Sequence, residues 1–527
     1  MKSNTISGIT AALKLSVAAF CLIPILGGIA ASTHNIFNDG RLAPAFSILA
    51  GNPPYYPVDS GPILNTLYGP LSYFYYFPCA IFRQNISLAI LFGSFLSFAA
   101  FAIPAGIILY RRRKNLGAIE ILWLAALGVF QIIGYSSLTY SAFSIHADAP
   151  AVLFSSLCVL LLDQNENGIT SPRALFLSAV FGVVTIWTKQ SFAPVVLLPM
   201  AVALAEKQTW RLRIALAGWI GFLTGLLFII FAMWCGTEAL IDNFVRIARA
   251  YPSLQASFLF GPEAGGNGHF KSVVIAAHII VGKYLTPYIL CLAAFILLLS
   301  LKDRRTTGES TSFYLPRLPR LFFLLALLNL PMSASAALIT GAGGNSETPF
   351  AWFFILGIFC LVVECKAFFA PAKIPTANSA IYYIFTGLAL VALFGTVRHL
   401  PTAINNISRA FDNDESAIVE ICRRSPGKYY FPWNPLAGYF GEGKFYHYQH
   451  MVEARFMGAK PPNIQHFNQF IPPQASVVGL PKETAGETGS ASETRFLGTY
   501  LEDLTLCNNP TDVTNGRFVW FSFVRKP

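Results

Sequence analysis

Asp39, Arg41, His146, Asp148, Lys189 and Glu347 combine the side chains of acid-base chemistry with cations suited to an anionic group, and all six fall beside long apolar runs. A charge held at the edge of a bilayer costs free energy to keep from water, so such residues mark substrate or ion sites more often than chance placement does. Asp39 stands out among them. It lies in His34-Asn-Ile-Phe-Asn-Asp-Gly-Arg41, a few residues beyond the first apolar run.

Each of these residues also has a structural reading. Asp39 can cap a short helix that follows it, and Asp148, in His146-Ala-Asp-Ala-Pro150, can cap the helix it opens, with His146 interfacial. Lys189, in Trp187-Thr-Lys-Gln-Ser191, either snorkels to the headgroups or offers its ammonium to a phosphate. Asn345 and Glu347 sit in the Gly-rich Gly341-Ala-Gly-Gly-Asn-Ser-Glu347, where backbone can approach a ligand closely. Tyr55, Tyr56, Tyr68, Tyr73, Tyr75 and Tyr76 fit an interfacial aromatic belt. Tyr68 is the exception, beside Gly69 and Pro70 and suited, as Tyr55 also is, to stacking on a sugar.

The elements that must position these groups are membrane spans. Of 527 residues, 54% are hydrophobic and 12% charged, far from the roughly 25% charged make-up of soluble domains. The expected fold class is an α-helical polytopic membrane protein. Apolar runs at 11–31, 86–110, 116–134, 149–163, 174–187, 190–206, 214–235, 273–300, 320–339, 350–365 and 379–397 predict about eleven transmembrane helices, the first an uncleaved span.

The net charge of +11 resides in short basic clusters between runs, including Arg111-Arg-Arg-Lys114, which the positive-inside rule places in the cytoplasm. No nucleic-acid partner is needed to explain it. That topology turns the first loop, 32–84, and the candidate residues to the other face. A transmembrane domain over 1–397 is expected to precede an outward-facing α/β domain over 398–527, where 13 Lys and Arg nearly balance 12 Asp and Glu. Its alternating segments Lys428–Pro432 and Phe518–Phe523 predict strands, and Ala43–Ala50 and Leu71–Phe82 in the first loop predict short helices. Trp433 is either a core residue or a glycan platform. Most of the nine cysteines lie in or beside apolar runs as packing residues, whereas Cys422 and Cys507 are either bridged or buried free thiols.

An acidic residue just after the first span, then Gly51-Asn-Pro-Pro-Tyr-Tyr-Pro57 and Tyr68-Gly-Pro-Leu-Ser-Tyr73, followed by the His146 and Lys189 segments, resembles the GT-C membrane glycosyltransferases. Within that superfamily it is most similar to bacterial relatives of protein O-mannosyltransferases and lipid A aminoarabinose transferase, over roughly residues 1–400. The chain departs from the pattern at Asn38, where many members carry a second acid.

The resemblance implies inverting transfer of a sugar from a polyprenyl-phosphate donor to a glycan, lipid or protein acceptor, at the periplasmic face of a bacterial inner membrane. It implies Asp39 as general base, with Lys189, Arg41 and His146 at the donor phosphate. Asp148, Tyr55, Tyr68, Asn345 and Glu347 would line the substrate. A divalent metal, Mg or Mn, would take Asp39 and Asp148 as hard oxygen ligands, although a lipid monophosphate can be handled by Arg or Lys alone. The competing expectations are a lipid or sugar transporter or flippase, whose charges would lie near the midplane of two related halves, and an O-antigen ligase or polymerase with its functional loop late in the chain.

Overall fold

The computed structural model describes residues 12–57, 60–163, 169–249, 276–280, 316–337, 343–369, 400–411, 414–458, 464–481 and the strands 504–511 and 518–525, apart from a few single residues. Among these, five helices are long and apolar enough to cross a membrane: Lys14–His34, Ile86–Asn115, Trp210–Cys235, Arg317–Ala337 and Asn345–Glu364. A sixth is added if Ala118–Gly134 and Ser136–Phe143, which meet at a bend of 102°, form one broken span. The chain is a multi-pass membrane protein by these helices.

The expected count of eleven is not reached among the described residues. Run 149–163 forms a helix of 14 residues, Asp148–Leu161, and run 174–187 one of 17, Pro172–Thr188. Run 190–206 divides into a 3-10 helix, Gln190–Leu197, with Pro194 inside it, and an α-helix of 8 residues with Pro199 in its first turn. All three are shorter than the about 20 residues a span needs. The run 379–397 and most of 273–300 lie outside the described residues.

Packing separates the helices by environment. Trp352, Phe353 and Leu356 of the Thr348–Phe369 helix join the main apolar core with Phe101, Val152 and Phe322. By contrast the Trp210–Cys235 helix exposes Ile214, Phe222, Ile229 and Met233. A helix apolar on every side is at rest only in apolar surroundings, so that face suits lipid.

A second core joins the first loop to the end of the chain: Leu42, Phe46, Tyr73 and Tyr76 pack with Tyr430, Trp433, Leu436, Tyr448 and Val452. Residues 400–525 contain helices Asp414–Arg424, Pro435–Glu442 and Gln449–Gly458 and a four-stranded sheet. Its strands are β1 (Tyr429–Tyr430), β2 (Val477–Pro481), β3 (Leu504–Thr511) and β4 (Phe518–Arg525), in the order β1-β2-β4-β3. β1 runs parallel to β2 and the other pairs are antiparallel. Trp433 is a core residue, edge-on to Phe37 at 5.7 Å. Cys422 is a buried free thiol, and the Cys507 side chain of the expected alternative lies outside the described residues.

The first loop is more helical than its sequence suggests. In place of Ala43–Ala50 the helix runs from Ile36 to Leu49, capped by the Asn35 side chain, which accepts from Phe37 N–H at 3.0 Å. Asp39 thus sits inside the first turn and is not its cap. The Leu71–Phe82 segment yields a single α-turn, Leu71–Phe74, then a 3-10 helix from Phe77 to Phe82 with Pro78 at its start.

Gly27 of the first span touches the Leu400–Ser408 helix so closely that a Cβ there would lie 2.7 Å from the Ala403 Cα. Backbone cannot retreat as a side-chain tip can. Gly27→Ala is expected to destabilise the protein by about 1–3 kcal/mol through overpacking, whereas Gly106→Ala, with nothing within 4 Å, should be neutral or slightly stabilising. Unfolding midpoints in detergent compare the two, and equal shifts would refute the close packing.

Candidate functional site

Three helix ends meet around Asp148. Its helix begins at Asp148 itself, after His146 and Ala147 leave the bend that follows Phe143. Lys189 is the first residue beyond the Pro172–Thr188 helix and is extended, φ −153°, which turns its side chain back toward the bundle. The Lys189 ammonium donates to Asp148 Oδ1 at 2.5 Å, and His146 Nδ1 lies 2.7 Å from Asp148 Oδ2. Asp148 and His146 are fully buried side chains and Lys189 nearly so, so the ammonium serves the interior and does not snorkel.

Two Asp148 groups approach His146 Nδ1, the carboxylate at 2.7 Å and the backbone N–H at 3.2 Å, and the closer, charged carboxylate favours the tautomer with Nδ1–H. With Nδ1–H donating to the carboxylate, Nε2 is the acceptor, and two donors converge on it: the Tyr68 hydroxyl at 2.8 Å and the Asn345 amide at 3.0 Å. The Tyr76 hydroxyl holds the His146 backbone, donating to its carbonyl at 2.8 Å and accepting from its N–H at 3.1 Å. Burial pushes the His146 imidazole down to about 3; Asp148 pulls the other way, opposed by the charges of Lys189 and Arg41. It is neutral at pH 7.

The Tyr68-Gly-Pro stretch and the Trp187-Thr-Lys stretch are in direct contact. Gly69 N–H donates to Thr188 O at 3.1 Å, and a Cβ on Gly69 would lie 2.0 Å from Trp187 O. Only glycine allows that approach, and it sets Tyr68 beside Lys189, whose ammonium is 6.0 Å from the Tyr68 ring centre. The Tyr55 hydroxyl donates to the Tyr68 carbonyl from behind. Asn345 is presented by the 3-10 turn Gly343–Glu347, which ends at the half-buried Glu347.

Arg41 adds a second cation. It donates to the Tyr140 hydroxyl at 2.9 Å, its guanidinium lies 4.9 Å from the Phe37 ring centre, and its Nε is buried without a hydrogen-bond partner. With Asn65, Tyr68, Tyr73, His146 and Met451 it lines a cavity of about 10 Å3, the room of a single water.

Asp39 is built into a different place. Its Oδ1 accepts from Leu436 N–H at 2.9 Å, at the start of the Pro435–Glu442 helix, while its Oδ2 is buried without a partner. The neighbouring Glu415 accepts from Asn434, the residue before the same helix, at 2.7 Å. Burial and the nearby Glu415 charge hold the Asp39 carboxyl well above its ordinary value of 3.8. Asp39 thus ties the first loop to the terminal region, and it does not line the cavity.

Asp39 and Asp148, the expected metal pair, have separate bonding sets, and both Asp148 oxygens are taken by an ammonium and an imidazole N–H. No group of three His, Cys, Asp or Glu suited to a metal occurs among the described residues. The donor set at Asp148 does not fit a divalent cation.

Asn38, noticed in the sequence only as a missing acid, proves structural. It accepts from Ile145 N–H at 2.9 Å and donates to Ser32 O at 2.9 Å, holding the strand-like approach to His146. Tyr76, Tyr140 and Ser141, whose hydroxyl lies 3.5 Å from Asp148 Oδ2, carried no signal that separated them from belt or packing residues. In comparison with known proteins, no family model and no curated protein matches the chain.

Removing one member of a buried ion pair leaves the other uncompensated, at about 3–5 kcal/mol. Asp148→Asn is expected to destabilise by that amount, and adding Lys189→Met to recover a large part of it; additive single effects in a double-mutant cycle of unfolding would refute the pairing. Asp39 gives a pH signature of opposite kind. Its folded-state value lies above its unfolded one, so the stability it contributes is complete below pH 4 and is lost as pH rises toward the raised value. The unfolding temperature of Asp39→Asn relative to wild type should therefore climb from pH 4 to pH 8, and a constant difference would contradict the burial of an acid pair.

Proposed function

We propose that the chain is a multi-pass membrane glycosyltransferase that moves a sugar from a polyprenyl-phosphate donor to a hydroxyl acceptor. The observation that carries this reading is the neutral His146, oriented by Asp148 so that Nε2 accepts from a hydroxyl, with the cations Lys189 and Arg41 close by. Displacement at an anomeric carbon needs both parts: a base for the incoming O–H and positive charge for the departing phosphate.

His146 Nε2 takes the acceptor proton as the acceptor oxygen bonds to the anomeric carbon. The bond from that carbon to the phosphate oxygen breaks, and its electron pair leaves with the phosphate, which Lys189 and Arg41 stabilise. Asp148 stabilises the imidazolium that forms. Burial chiefly holds the histidine basicity down and the charges of Lys189 and Arg41 add to it, and a bound phosphate would offset those charges. This role passes from Asp39, the base that the GT-C resemblance implies, to His146, because Asp39 is engaged by the Leu436 N–H and lies off the cavity wall.

The clustering of these groups at helix ends favours an enzyme over a transporter, whose ionisable residues would be expected near the midplane. The basic clusters support an orientation with the site on the periplasmic face of a bacterial inner membrane. The acceptor class is a glycan, lipid or protein hydroxyl.

Purified protein in liposomes, supplied with a panel of polyprenyl-phosphate sugars, tests the reading. His146→Gln is expected to lower transfer by about 100-fold or more while donor binding persists, and Lys189→Met to weaken donor binding. Wild-type transfer by His146→Gln would remove the base assignment, and no turnover of any such donor would remove the glycosyltransferase reading.

A further inference from the structure

A base can act only on a hydroxyl within about 2.6–3.2 Å of it. At His146 that position is already filled from within the chain, since the Tyr68 hydroxyl lies 2.8 Å from Nε2 and the Asn345 amide takes a second approach at 3.0 Å. What is left is a cavity with the room of one water, far smaller than a sugar or any alcohol carried on a larger acceptor. Tyr68 lines that cavity and Lys189 does not, and the Lys189 ammonium lies 6.0 Å from the Tyr68 ring centre.

The backbone that delivers Tyr68 is strained on one side and pinned on the other. Tyr68 N–H donates to Thr66 O at 2.8 Å across Leu67, whose φ is +73°, a tight three-residue turn of the rare left-handed kind. Leu67 N–H is held by Asn243 O at 3.2 Å, and Gly69 is fixed to Thr188. Thr66 through Tyr68 is therefore the short piece whose relaxation leaves the docking of Gly69 in place, at the cost of the Leu67–Asn243 and Tyr55–Tyr68 hydrogen bonds.

Building on the glycosyltransferase reading, we infer that Tyr68 occupies the acceptor-hydroxyl position and keeps the site closed until an alcohol takes its place against His146 Nε2 and the Asn345 amide. The phenol is itself a hydroxyl on an apolar ring, so the group it imitates is an alcohol O–H presented beside an apolar or ring-shaped body. Its departure uncovers Lys189 at the same moment, which links acceptor entry to phosphate stabilisation. While it stays, water cannot be activated at Nε2, so the bound donor is protected from hydrolysis.

Acylation of His146 by diethyl pyrocarbonate, followed by peptide mass mapping of the full chain in lipid, needs no substrate. Tyr68→Phe, which keeps the ring and removes the hydroxyl, is expected to speed acylation several-fold over wild type. Leu67→Gly, which removes the left-handed penalty and favours the closed turn, is expected to slow it. Unchanged rates in both variants, with unfolding temperatures near that of wild type, would overturn the inference.

The second arm measures release of free sugar from polyprenyl-phosphate donors without acceptor. Tyr68→Phe should raise the ratio of hydrolysis to transfer by about 10-fold, equivalent to about 1.4 kcal/mol, and a ratio equal to wild type would also count against the inference. Faster acylation together with no donor turnover by any form of the protein would leave the closed-site inference standing and overturn the glycosyltransferase reading.

Discussion

A carboxylate with no exposure to water must find its compensation inside the protein, and the arrangement around Asp148 follows from that requirement. One oxygen takes the Lys189 ammonium and the other the His146 N–H, so each oxygen has a partner and the charge a counter-ion. In a low-dielectric setting such a pair resists displacement of either partner, because separating them exposes two desolvated charges. The helix that starts at Asp148 and the helix that ends before Lys189 are therefore held end to end. The histidine tautomer, and with it the direction in which Nε2 points, is a consequence of the same bond.

Around that pair the first loop is clamped between two bodies. Gly69 lies on the end of the Pro172–Thr188 helix, and on the opposite side Ile63 exchanges bonds with the terminal region, donating to His447 Nδ1 at 2.9 Å and accepting from Tyr448 N–H at 2.9 Å. Asp39 adds the tie to Leu436. A segment rich in Pro and Gly, with little regular backbone bonding of its own, keeps one conformation because these contacts and a shared apolar core replace a ladder or a helix. The terminal region contributes Met451 to the cavity wall; it is part of the site's construction and shares its core with the first loop.

What the sequence revealed and what it hid divide along the range of the interactions. Charges at the ends of apolar runs were visible, and so was the oddity of Tyr68 beside Gly69, since both are local departures from membrane-helix composition. Apolar content is the same whether a helix faces lipid or protein, so the runs that form the shorter helices look like the longer ones, and only length and proline positions set them apart. The partner of Asp39 lies 397 residues away, beyond any periodicity. Cys422 likewise has ordinary polar neighbours in sequence, and only the packing shows it as a buried thiol.

The contrast between the two aspartates supports the proposal that places the chemistry with Asp148. Asp39 faces a helix N-terminus and a second carboxyl, which with burial raises its carboxyl above the ordinary value, and its Oδ1 goes to the Leu436 N–H. It does not line the cavity. Asp148 faces a cation and an imidazole, and it acts through His146, whose Nε2 is met by the Tyr68 hydroxyl at the cavity. Removing a proton from a hydroxyl requires a base within hydrogen-bond reach of it and a partner for the conjugate acid, and the cluster around Asp148 offers both through His146, in support of the proposed role.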